Sequence, residues 1–111
     1  MSLAEKLRKA REKVVEAGGF KFTVRRPTDL EFMRARGPEY TRNAIGWVVG
    51  WEGVTTLSMG LPGGDANPVA YDPALAVEWL SDRADLLAAI IEDAQARYEA
   101  HAEALKAAAK N

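Results

Sequence analysis

The chain has 111 residues, of which 48% are hydrophobic and 28% charged, with a formal net charge of −1 and no cysteine. That size fits one domain around one core, and the missing cysteine excludes disulfides, thiolate chemistry and the commonest ligand of structural zinc sites, which suits a reducing cytoplasm. The near-neutral total hides a division: residues 1–42 hold eleven Lys/Arg against six Asp/Glu and residues 43–111 four against ten, so +5 stands against −6, a pattern of two facing halves or of an interaction surface.

Residues 1–17 have no apolar core of signal-peptide length, and no stretch has the apolar length of a membrane span, so a soluble intracellular product without membrane contact is expected. The first element is a basic amphipathic helix over 1–12. Ser2 and Glu5 have capping-box spacing, and Leu3, Leu7 and Ala10 recur at helical intervals among Lys6, Arg8, Lys9 and Arg11. Residues 13–26 admit either a helical extension to Gly18-Gly19 or a hairpin turning there. The hairpin is the preferred reading, because its register sets Val15 opposite Phe22, Ala17 opposite Phe20 and Glu16 opposite Lys21, one face apolar and the other charge-paired.

Pro27 ends the second strand, and Thr28 to Glu31 repeats the capping-box spacing ahead of a short helix with Leu30, Phe32 and Met33. Tyr40, Ala44, Trp47, Val48 and Trp51 step by three and four, so helices are expected across 28–51 despite Gly46 and Gly50. A Gly/Pro-rich loop follows over 52–71, with a short edge strand at Val54 to Met59, and serves as a connector or a mobile binding loop. Helices resume over 72–111: Asp72 caps a short one with Pro73 at its first position, and a long one from about Ala84 carries Leu87, Ile90, Ile91, Ala94, Tyr98, Ala102 and Leu105 on one face. The fold class read from this order is mainly α with a small β-hairpin, an α+β domain of short helices packed on a long C-terminal one.

No catalytic, cofactor-binding or metal-ligating set is expected. His101 is the only histidine and reads as a solvent-facing helix residue, the carboxylate pairs Asp82/Asp85 and Glu92/Asp93 lack a pocket or cation to separate their acidities, and no glycine run has phosphate-loop spacing. The candidate sites are therefore partner contacts. Trp47, Trp51 and Trp79 are the residue type that anchors interfaces, although a core of this size needs large side chains and should take at least two of them. Trp51, beside the loop, is the leading contact, with Tyr98 and Leu105 on the last helix and Arg25 and Arg26 from the basic half. A nucleic-acid site built on those arginines with Phe20, Phe22 and Tyr40 is disfavoured, because Phe20 and Phe22 alternate with polar residues and belong to the core.

From Phe20 to Asn111 the chain resembles the tail assembly chaperones of long-tailed bacteriophages and prophages. The likeness is carried by Phe22-Thr23-Val24-Arg25-Arg26-Pro27-Thr28, Gly50-Trp51-Glu52-Gly53-Val54, Pro68-Val69-Ala70-Tyr71-Asp72, Trp79-Leu80 and the closing helix. That resemblance implies a non-enzymatic helper that binds the tape measure protein, keeps its helical segments soluble and helps deliver tail tube subunits. Two alternatives remain at this level: a self-assembling tail or head-tail connector protein, a homo-oligomer, and a small nucleic-acid-binding regulatory module.

Overall fold

The computed structural model describes residues 1–34 and 38–110. Its elements run α1 (Leu3–Ala10), β1 (Glu12–Ala17), β2 (Phe20–Arg25), α2 (Asp29–Arg34), α3 (Pro38–Ile45), β3 (Val48–Glu52), α4 (Pro73–Leu80) and α5 (Ala84–Ala109). The α+β reading holds, with a sheet of three strands instead of a lone hairpin.

The hairpin settles the choice left open for residues 13–26. β1 pairs antiparallel with β2 in the register read from the side chains, Val15 on Phe22, Glu16 on Lys21 and Ala17 on Phe20. Gly18 and Gly19 make the turn at φ +59° and +86°, a backbone that side-chain-bearing residues adopt at a cost and that matches the strands' right-handed twist. Phe20, Phe22 and Val24 alternate inward on β2, the middle strand.

The helical reading of residues 28–51 is corrected at its end. α3 stops at Ile45, two tight turns from Gly46 to Asn43 and from Trp47 to Ala44 close it, and Val48–Glu52 joins β2 as the third strand. Pairing runs Val24 with Val48 but Thr23 with Gly50 and Phe22 with Trp51, so one extra residue is accommodated in β3 between Val48 and Gly50. A bulge of this kind resets the alternation. Val48 and Trp51, three apart, thus face the same core from a strand, which is how a strand came to carry helical spacing.

Two helices cover the sheet's apolar face. α5 packs against β1, β2, α3 and α4, placing Leu86, Leu87, Ile90 and Ala94 on the sheet's apolar side beside Ala76, Trp79 and Leu80 of α4. Trp79 stands at the centre of an aromatic cluster, edge-on to Phe20 at 5.2 Å and to Trp51 at 5.5 Å between ring centroids. Asp72 caps α4 by accepting from the Leu75 N–H at 3.0 Å, with Pro73 opening the helix, and Thr28 and Glu31 make both hydrogen bonds of the capping box at α2.

Between β3 and α4 the Gly/Pro-rich stretch holds to the core by hydrogen bonds of its backbone and of Tyr71. Val69 N–H donates to the Val54 carbonyl, Trp51 Nε1 donates to the Val69 carbonyl at 2.9 Å, and Tyr71 Oη donates to the Val48 carbonyl at 2.7 Å. The edge strand expected at Val54 to Met59 reduces to a single bridge, Thr55 with Pro68, followed by turns. Thr55 and Ser58 spend their hydroxyls on each other's backbone there, the local bonding that draws such residues out of a ladder.

Candidate functional site

Of the three tryptophans that the sequence offers as partner contacts, at least two are expected in the core. All three are buried: Trp47 is fully enclosed, and Trp51 and Trp79 retain 9% and 7% of their surface. A ring covered to that degree has no face to offer a partner in this conformation, and the Trp51 indole N–H is already committed to the Val69 carbonyl. Tyr98 is half-buried and stacks on Phe32 with centroids 4.2 Å apart. Leu105 stays exposed on the free end of α5.

Arg25 and Arg26, adjacent in sequence, meet different fates. Arg25 forms a two-pronged ion pair with Glu31 at 2.6 and 2.8 Å, and this hydrogen bonding, against the opposing cost of burial, holds the Glu31 carboxyl at about 2. Arg26 turns the other way, into a cleft of about 580 Å³ lined by Leu7, Ala10, Arg11, Arg26, Thr28, Asp29, Leu30 and His101. That volume lies within the range of roughly 300–1,000 Å³ typical of ligand-holding clefts.

Three elements build this cleft. α1 supplies Leu7, Ala10 and its C-terminal cap, Arg11. The Arg11 carbonyl accepts from the Arg26 N–H at 2.9 Å and from Arg97 Nη1 at 2.8 Å, so the end of α1 is tied to β2 and α5 together. Arg97 completes the strut by donating Nη2 to the Val24 carbonyl and Nε to Asp93. The link from β2 to α2 supplies Arg26, Thr28, Asp29 and Leu30, held by buried Pro27 and the capping box.

α5 supplies His101, and the solvent-facing reading of that residue is corrected here. Arg26 Nη2 donates to His101 Nδ1 at 3.2 Å, and Nη1 donates to the Pro27 carbonyl. A guanidinium cannot accept, so the imidazole accepts at Nδ1 and bears its proton on Nε2. Burial and then the charge of Arg11 lower the Arg26 pKa, with Asp29 opposing them.

Two properties set the cleft apart. Arg11, Arg25, Arg26, Arg83 and Arg97 are the half-buried arginines among the described residues; Arg25, Arg83 and Arg97 each pair with a carboxylate, while Arg11 and Arg26 have no described carboxylate at ion-pair distance. The apolar wall is also uncovered, since α1 buries none of its residues and Leu3, Leu7, Leu30 and Met33 are 73%, 57%, 67% and 66% exposed. Sequence reading found Arg26 but missed Arg11, His101, Leu7 and Leu30 as members of one site. These residues sit on separate elements, and no local spacing unites them.

Among the described residues no cluster of His, Asp or Glu could hold a metal ion, and no helix is long and apolar enough to cross a membrane. The model of one protein family, described as YdaY prophage protein, matches residues 41–111. No curated protein and no solved structure matches the chain.

Proposed function

The chain belongs to the YdaY prophage protein family, and on that premise we propose that it is a non-enzymatic helper in prophage assembly. It acts as a tail assembly chaperone in the cytoplasm of the bacterial host, taking up helical segments of the tape measure protein and assisting tail tube assembly. One observation supports this reading above the others: a basic cleft beside an uncovered apolar helix face, the combination that receives an amphipathic helix from a partner. The resemblance over Phe20 to Asn111 points the same way. The partner contacts then move from the buried tryptophans to Leu7, Arg11, Arg26 and Leu30.

Co-expression with the tape measure protein of the same prophage tests the proposal. The two chains should co-purify, and the tape measure protein should stay soluble only when this chain is present. A tape measure protein that is soluble alone and forms no complex would overturn the reading in favour of a self-assembling structural protein, whose mass in solution would show it.

A further inference from the structure

We infer that the cleft is a carboxylate clamp: Arg11 and Arg26 grip a glutamate or aspartate side chain of an amphipathic helix on a partner protein, while Leu7, Ala10 and Leu30 cover that helix's apolar residues. The inference rests on the protein-binding role proposed above and specifies the partner's chemistry.

A half-buried guanidinium loses water and normally recovers the loss from a carboxylate, as Arg25 does from Glu31 and Arg97 from Asp93. Among the described residues Arg11 and Arg26 open on one cleft with no carboxylate at ion-pair distance, and their mutual repulsion, only partly offset by the charge of Asp29, leaves a positive site. Arg26 spends one edge of its fork on His101 and Pro27, bonds that fix its plane while leaving other N–H donors for an incoming anion.

The walls decide which anion. Leu7, Ala10 and Leu30 would be wasted on a phosphate backbone, which keeps its charges hydrated. A single carboxylate flanked by apolar side chains suits both surfaces. On a helix, residues three or four apart share a face, so an acidic residue one turn from a large aliphatic one meets the arginines and Leu7 together.

The test uses the full chain and two fluorescein-labelled synthetic peptides of Ala, Leu and Lys, one with Glu one turn from Leu and the other with Gln in its place. By fluorescence anisotropy at low salt, wild type should bind the Glu peptide about tenfold more tightly than the Gln peptide. Arg26→Gln and Arg11→Gln should each shrink that preference, and Arg8→Gln, on an exposed position of α1, should leave it. Arg11 ties the fold through its backbone carbonyl, so the Arg11→Gln melt should match wild type, while Arg26→Gln also loses its side-chain bonds to Pro27 and His101 and should melt slightly lower yet remain folded.

Equal binding of the two peptides, or an undiminished preference in Arg11→Gln/Arg26→Gln protein, would overturn the clamp. Preferential displacement of the Glu peptide by duplex DNA would assign the cleft to phosphate, and an oligomer dissolved by Leu7→Ser would assign it to a second copy; either overturns the inference. Capture of the tape measure protein by the double variant would sink the clamp and leave the chaperone reading standing. A Glu preference without tape measure capture would do the reverse.

Discussion

The sheet and the cleft meet where the chain enters β1 and leaves β2, and they are finished to opposite degrees. On the sheet's apolar face, Phe22, Val24, Trp47 and Val48 are fully buried, and the Trp51 indole has its hydrogen bond, although the buried Trp47 Nε1 finds none among the described residues. At the cleft, α1 is tethered by the carbonyl of its cap while its leucines stay in water. The contrast teaches that anchoring an element and burying it are separate matters. A few hydrogen bonds at one end can position a helix whose apolar face is left for something else.

Four substitutions or conditions sharpen that contrast. Phe22→Ala should cost about 3–5 kcal/mol in urea unfolding, since it empties the middle of the core. Arg97→Met, which removes the strut from α5 to the Arg11 and Val24 carbonyls, should cost about 1.5–3 kcal/mol. It should also raise hydrogen exchange in α1 more than in β2, and equal change in both would mean that α1 does not depend on the strut.

Acid should act between these extremes. The Glu31 carboxyl is depressed from 4.5 to about 2, so its pairing with Arg25 stabilises the fold fully above 4.5 and is lost as pH falls toward about 2. Glu31→Gln should flatten that part of the stability-pH curve, and an unchanged slope would break the assignment. Smallest of all, Leu7→Ser should shift stability by no more than about 0.5 kcal/mol because the residue is exposed. Loss of tape measure capture in that same variant is the expected counterpart.

Much of the architecture could be read before any coordinates. The hairpin register followed from Val15, Ala17, Phe20 and Phe22, and the helix starts followed from Thr28/Glu31 and Asp72-Pro73, because these signals act within a few residues. β3 could not be read that way. Its bulge gave Val48 and Trp51 helical spacing, and only pairing with β2 distinguishes the two origins of that interval. The site was harder still, since choosing tryptophans by residue type cannot tell an interface anchor from a core one.

What the sequence determined by itself was local: caps, the glycine turn, alternating faces and the division of charge, all set by neighbours within a turn or a strand. The tertiary structure alone decided which of two adjacent arginines would find a carboxylate. Arg25 and Arg26 are chemically identical and point to opposite sides of an extended chain, so their partners depend on what packs there. Glu31 stands on one side, and Arg11 and His101, brought from the two ends of the chain, stand on the other.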